Sequence, residues 1–270
     1  PLRSLTQGYP LRGRSAKDRT IRSGCYVYGM DLICLAAGHG SRMGRLGVYL
    51  QKCMYPVGLR PFLEHTLEEL HASGIAAGGR LALVVGHHAR QLREYFGSEH
   101  EGLAIEYVEQ SERLGTGHAL SLAYRALRPE GSVVAWQADL FVTRRLFREV
   151  AGNAHGDAVT LGPGDQRESP ALLATTEGEL VTRVWNGAGP LYDIGLWKLS
   201  PATLAGIGRL KAPDGEVRML PNLQRAIDSG ARVGHVRARE WIHLGGTLPT
   251  PEENVRAVVS RLFELRGAEG

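Results

Sequence analysis

With 270 residues, 43% of them hydrophobic, the chain can bury a substantial core as one large α/β domain or two small ones. No apolar run approaches the roughly 18 residues that would cross a membrane. Cys25, Cys34 and Cys53 are odd in number and lack metal-site spacing, so a reducing, cytoplasmic location is expected. The net charge of +4 is local: residues 1–29 hold six basic side chains and one acid, a +5 that leaves −1 for the remainder, so there is no basic excess for nucleic acid.

Residues 1–29 show no helical or strand period and stop just before Met30. They are expected to be a disordered or non-native leader, with an Arg-rich transit peptide as the alternative. Asp31 to Leu35 is short and apolar enough for a buried parallel strand, and it opens into Gly38-His39-Gly40-Ser41-Arg42. Without a Cβ, Gly38 and Gly40 are expected to take positive φ and bring backbone N–H groups against an anion. Arg42 and Lys52, ten residues apart, offer a forked and a point cation to one oxyanion cluster. The layout points to nucleotide phosphate.

Pro61 to Ser73 reads as a helix, with Pro61 at its first position, Leu63, Leu67 and Leu70 in one stripe and Gly74 ending it. Arg80 to Val85 is a second strand, Ala89 to Phe96 a short helix and Leu103 to Val108 a third strand, the alternation of a Rossmann-like half-domain. Gly117 opens a helix with apolar Ala119, Leu122, Ala123 and Ala126, and Val133 to Trp136 is a fourth strand ending at Gln137-Ala138-Asp139. Ala158 to Leu161, Ala171 to Thr175, Leu180 to Trp185 and Arg232 to Arg237 are further strands. Thr250-Pro251-Glu252-Glu253 is a capping box for a closing helix whose inner face is Val255, Val258, Val259, Leu262 and Leu265.

The stretch from Leu35 to Pro61, LAAGHGSRMGRLGVYLQKCMYPVGLRP, resembles the signature of the sugar-1-phosphate nucleotidylyltransferases, L-A-A-G-x-G-[ST]-R-[LM], then P-K-x-x-x-P-V, then G-[KR]-P. It departs at Arg45 and Gln51, which stand where the pattern has prolines; their loss should loosen the loop carrying Lys52 unless contacts compensate. The dinucleotide motif G-x-G-x-x-G fails at Met43, and no acid lies between Gly40 and Leu63 to hold a ribose. The resemblance runs from Met30 to about Arg266. It implies a GT-A-like α/β fold, a Rossmann-like three-layer sandwich with a mostly parallel central sheet. Residues 30–270 would form a single domain, 30–145 being the nucleotide-binding half and 146–270 the acceptor-binding half.

The same resemblance implies that Arg42, Lys52 and Asp139 are catalytic and that Leu35, Ala37, Gly38, Gly40 and Ser41 hold the nucleotide. The run from Gln110 through Leu114-Gly115-Thr116-Gly117-His118-Ala119 is most similar to uridylyl- and thymidylyltransferases, and Gln110, Gly115 and Thr116 would read the base. Gln110 has a donor and an acceptor for the O4/N3 edge of uracil or thymine. Asp139 would hold Mg²⁺ at a strand end, where α/β sheets bind ligands. Local hydrogen bonding, not catalysis, is expected of His39 and His118.

The second half departs further from the family pattern. Gly162 or Gly164 can occupy a glycine position ahead of the acceptor, Asn186 and Gly187 stand in place of a Glu-Lys pair, and Asp193-Ile194-Gly195 in place of Asn-x-Gly. Gly164, Asn186, Asp193 and Gly195 are the expected acceptor contacts, with Arg183 or Lys198 to hold the acceptor phosphate. His243 stands where the family pattern has the second metal carboxylate; either Mg²⁺ would be held by Asp139, phosphates and water, or an imidazole ligand would shift the preference toward Mn²⁺. The implied reaction is Mg²⁺-assisted transfer of a nucleotidyl group from UTP or dTTP to a sugar-1-phosphate. The alternatives are a cytidylyltransferase acting on phosphocholine or another phosphorylated alcohol, and a catalytically silent nucleotide-sugar-binding regulator. A GT-A glycosyltransferase would need an Asp-x-Asp motif, which Asp139-Leu140-Phe141 lacks. A nucleoside triphosphate and a phosphorylated small molecule are the expected partners, with no nucleic acid and no membrane; a homo-oligomer is compatible with the sequence.

Overall fold

The computed structural model describes residues 29–40, 43–163, 172–187, 189–244 and 251–268. The first part comprises β1 (Leu32–Ala36), α1 (Leu46–Tyr49), a 3-10 turn (Lys52–Met54), the hairpin β2 (Pro56–Val57) and β3 (Arg60–Pro61), α2 (Phe62–Ser73), β4 (Arg80–Val85), α3 (Ala89–Phe96), β5 (Glu99–His100), β6 (Leu103–Glu109), α4 (Thr116–Leu127) and β7 (Val133–Gln137). The second comprises β8 (Leu140–Val142), α5 (Arg144–Ala151), β9 (Asp157–Pro163), β10 (Leu172–Glu177), β11 (Leu180–Asn186), β12 (Leu191–Leu199), α6 (Pro201–Gly206), α7 (Met219–Asp228), β13 (Val233–Arg237), β14 (Trp241–His243) and α8 (Pro251–Ala268).

One sheet runs through the molecule in the order β10-β11-β13-β9-β12-β7-β1-β4-β6-β5. Strands β1, β4, β6, β7, β9, β10 and β13 point one way, and only β5, β11 and β12 oppose them, so the fold is mixed α/β with a mostly parallel sheet. Alternation along the strands builds its two faces. Leu32, Cys34 and Ala36 of β1, Leu81, Leu83 and Val85 of β4 and Trp136 of β7 pack under α2, α3 and α5. Ile33, Ala82, Val84, Val133 and Ala135 face the other way, under α4, α6 and α7. A third cluster joins Val57, Phe62, Phe141 and Ile242 to Val258, Leu262 and Leu265 of α8. No helix among the described residues is long and apolar enough to cross a membrane.

The predicted strands and helices are present, with bounds shifted by a residue or two. Pro61 caps α2 from outside, with ψ 148°, instead of starting it. Several elements went unread, α5 and β12 among them. Thr143 accepts from the Leu146 N–H at 3.3 Å and so caps α5, whose Leu146, Phe147 and Val150 turn inward. The nine-residue β12 joins the two ends of the sheet by pairing antiparallel with both β7 and β9.

A register irregularity in β12 lies between Asp193 and Trp197. Both Asp193 oxygens accept from the Trp197 indole N–H at 2.9 Å, and Oδ1 also accepts from the Gly195 N–H at 3.1 Å. Burial pushes the Asp193 carboxyl up to about 7, against the pull of those donors. Between its unfolded pKa near 4 and this folded value the native state keeps a proton that the unfolded chain has released, so stability falls as pH rises through the window. Urea unfolding should show wild type losing up to about 2 kcal/mol between pH 5.5 and pH 8 through this group. In Asp193→Asn, which keeps an acceptor for Trp197, that part of the slope should vanish.

Candidate active site

The chain steps outward from β1 to β4 and β6 and then returns to β7 on the other flank of β1. A parallel sheet opens a crevice beyond its strand ends at such a reversal. Here a cleft of about 400 Å³ lies beyond β1, β6 and β7, walled by the loops that follow them.

The first wall is the glycine loop, with Leu35, Ala37, Gly38 and Gly40 facing the cleft. Gly40 has φ +62°, a backbone hand that favours glycine, and a Cβ there would sit tightly, 3.3 Å from the Lys52 Cβ. Gly38 corrects the expectation: it stays out of the left-handed region, and a Cβ on it would meet open space. The His39 ring stacks on His87 at 4.1 Å, and His87 lies 3.8 Å from His88. His87 and His88 reach the Gly47 and Val48 carbonyls at 3.1 and 3.0 Å, clamping α1 over the loop after β4. Ser41 and Arg42 lie outside the described residues.

Gln51 performs by hydrogen bonding what proline would do by covalent constraint. Its φ of −62° is the value a pyrrolidine ring imposes. Its side-chain N–H₂ donates to the Ala36 carbonyl and, at 3.0 Å, to the Gly38 carbonyl. Oε1 accepts from the Cys53 N–H at 3.1 Å, and its own N–H donates to Gln91 Oε1 at 2.8 Å. The side chain is buried and so ties β1, the glycine loop and the Lys52 turn together. Gln51→Ala should cost about 1–3 kcal/mol through the stranded polar groups, read by chemical denaturation, and should raise the proteolytic sensitivity of residues 43–54.

Lys52 is thereby aimed at Asp139. Its ammonium forms an ion pair with Oδ2, and both side chains are largely shielded, at 10% and 17% exposure. The backbone around Asp139 is fixed from two sides: the Ala138 N–H donates to the Leu35 carbonyl at 3.0 Å, and the Asp139 carbonyl accepts from the Leu244 N–H at 2.7 Å. Ala138 stays out of the left-handed region. Pairing of β14 with β8 sets His243 opposite Leu140 and its Nε2 3.7 Å from Asp139 Oδ1. Among the described residues no cluster of three or more His, Cys, Asp or Glu could hold a metal by itself. A divalent ion at Asp139, with His243 adjacent, would complete its shell from substrate oxygens and water, the way Mg²⁺ is usually held.

The third wall joins β6 to α4. Gln110, Gly115 and Thr116 face the cleft. Gly115 has φ +87°, and a Cβ on it would lie 2.7 Å from the Val217 carbonyl. Val217 donates to the Leu114 carbonyl at 2.6 Å and accepts from the Gly117 N–H at 2.8 Å, so residues from the α6–α7 connection cover this loop and bring Glu216 to the cleft.

The structure thus gathers Leu35, Ala37, Gly38, Gly40, Lys52, Gln110, Gly115, Thr116 and Asp139 at one cleft, with His243 beside Asp139. The acceptor contacts expected from sequence are placed differently. Gly164 lies outside the described residues, and Asn186 ends β11. Asp193 is engaged within β12, and Gly195 backs onto Gln137, where a Cβ would lie 2.9 Å from the side chain; neither borders the cleft. Trp241 fills the space over Gly162. Lys198 donates to the Asn153 carbonyl at 2.8 Å and Arg183 lies over Trp185, both away from the cleft. Gln51, Arg113, Gln137 and Glu216 also border it. Arg113 could have been found as the one cation within the run from Gln110 to Ala119; Glu216 is distant in sequence and has no such signal.

Residues 32–194 match the MobA-like NTP transferase domain, and the chain belongs to that family. It is 35% identical over 125 residues to the bifunctional protein GlmU of Cellvibrio japonicus, an alignment covering 46% of this chain and 25% of GlmU. It is 32% identical over 154 residues to the D-glycero-alpha-D-manno-heptose 1-phosphate guanylyltransferase of Aneurinibacillus thermoaerophilus, covering 56% of this chain and 66% of that protein. The chain therefore spans a quarter of the first relative's length and just under two thirds of the second's. A solved Bacillus anthracis structure, described as a glucose-1-phosphate thymidylyltransferase, shares the fold with a TM-score of 0.72 at 20% identity, over 85% of this chain and 95% of that one.

Proposed function

We propose that this chain transfers a nucleotidyl group from a nucleoside triphosphate, UTP or dTTP by preference, to a sugar-1-phosphate, releasing pyrophosphate. The observation that carries the reading is the meeting of Lys52 and Asp139 in one shielded cleft with a glycine loop on one side and Gln110 on the other. Membership of an NTP transferase family and similarity to a heptose 1-phosphate guanylyltransferase support nucleotidyl transfer onto a sugar phosphate.

In this reading the acceptor phosphate oxygen attacks the α-phosphorus, a new P–O bond forms, and the bond to the β-phosphate bridging oxygen breaks in line. The attacking phosphate is already ionised, so no general base is required; positioning and charge stabilisation carry the step. Gly38 and Gly40 would hold the β- and γ-phosphates with backbone N–H groups, together with Arg42. The Lys52 ammonium has three donors, so it can keep Asp139 and still meet the transferring phosphoryl group. Mg²⁺ or Mn²⁺ held by Asp139, with His243 beside it, would neutralise charge on the α-phosphate and acceptor oxygens. Gln110, Gly115 and Thr116 would hold the base.

The test is pyrophosphate release with triphosphates crossed against sugar-1-phosphates. Release should require both substrates, and Lys52→Ala should lower kcat at least about 100-fold while triphosphate binding stays measurable. An active Lys52→Ala protein would overturn the role given to this lysine. Asp139→Asn should lose turnover and respond more weakly to Mg²⁺ or Mn²⁺ concentration.

A further inference from the structure

We propose that His118 is a positioning residue that locks the Gln110 amide in one orientation. The lock restricts the site to bases with a proton on the ring nitrogen of the pairing edge, namely uracil, thymine and guanine. The inference rests on the reading of Gln110 as a base contact.

Gln110 stands at the end of β6, buried, with its N–H held by the Val85 carbonyl at 2.8 Å. Its side-chain Nε2 lies 3.1 Å from the Gly115 carbonyl and 3.2 Å from His118 Nδ1. A carbonyl can only accept, so the atom facing Gly115 must be the N–H₂ group. Its other hydrogen points to His118 Nδ1, which must then accept, placing the imidazole proton on Nε2. The Gly115 carbonyl is held in turn by the Ala119 N–H at 3.2 Å, and His118 rides the first turn of α4. Both amide donors are therefore committed inward, and Oε1 is what Gln110 offers to the cleft it lines. Flipping the amide would set Oε1 against the Gly115 carbonyl in a buried place and would require the His118 proton to move from Nε2 to Nδ1, both of which oppose it.

An acceptor at that point must find an N–H. Uracil, thymine and guanine carry one on the ring nitrogen. Cytosine and adenine present a lone pair there, and their nearest N–H is one position along the edge, on the exocyclic amine. Reaching it requires an in-plane slide that phosphates anchored in the glycine loop oppose. The sequence suggests His118 only as a local hydrogen bonder; the geometry says what the bond is for.

The experiment is equilibrium binding of UTP, dTTP, GTP, CTP and ATP to the full chain. The best binder is then compared with its ring-N-methylated analogue: 3-methyl-UTP, 3-methyl-dTTP or 1-methyl-GTP. Methylation should weaken binding about tenfold or more, corresponding to about 1.4 kcal/mol. His118→Leu should narrow the preference over CTP about tenfold, with inorganic triphosphate binding and thermal unfolding as controls. His118→Asn, whose Oδ1 can accept where Nδ1 did, should restore the preference. Tight binding of CTP or ATP, indifference to ring methylation, or an unchanged preference in folded His118→Leu would each overturn the inference. Base-independent triphosphate binding would sink this inference alone, whereas failure of every triphosphate to bind would remove the proposed function with it.

Discussion

The ion pair between Lys52 and Asp139 is the contact around which the structure is arranged. Its partners are 87 residues apart and belong to loops leaving adjacent strands, so it can close only when β1 and β7 lie side by side in register. In largely shielded surroundings each charge would be costly without the other, and each backbone is pinned independently: Lys52 through the Gln51 bonds, Asp139 through Leu35 and Leu244. Packing therefore sets the geometry, and the ion pair does not have to assemble the site by itself. The same two groups are those to which the proposed chemistry assigns charge stabilisation.

Around that contact the chain has exchanged one kind of constraint for another. A proline would hold the approach to Lys52 through its ring; Gln51 reaches the same φ through bonds to three neighbouring backbone groups and to Gln91. Gly40 is favoured because the loop takes a left-handed turn there, with Lys52 packed close by. The histidine stack of His39, His87 and His88 closes the outer side of the same loop. Asp139 retains its place although Ala138 precedes it, because that backbone stays in an ordinary conformation.

Of the departures in the second half, Asp193 and Gly195 fall away from the cleft, whereas His243 lies beside Asp139. Asp193 and Gly195 shape the irregular stretch of β12, and Trp241 covers Gly162. Lys198 is spent on a backbone carbonyl. Among the described residues, the charges that border the cleft beyond the ion pair are Arg113, from the first half, and Glu216, delivered by the segment that covers the β6–α4 loop.

The sequence by itself determined what local rules can determine. Apolar runs bounded by glycine mark the strands, stripes at helical spacing mark α2 and α8, and the ordered string from Leu35 to Pro61 marks the glycine loop and the turn that carries Lys52, because periodicity and residue chemistry act over a few residues. Gln110 and Asp139, which follow strands that the pattern locates, were singled out by the resemblance, and the structure sets both at the cleft. Tertiary structure alone decided the rest. Whether a polar side chain faces the cleft or its own strand depends on sheet register, and this sent Asp193 inward and brought Glu216 to the site from a distant segment. How the Gln110 amide is turned depends on the Gly115 carbonyl and on His118, in the following turn and helix, whose positions relative to the amide are set only when α4 packs against the sheet.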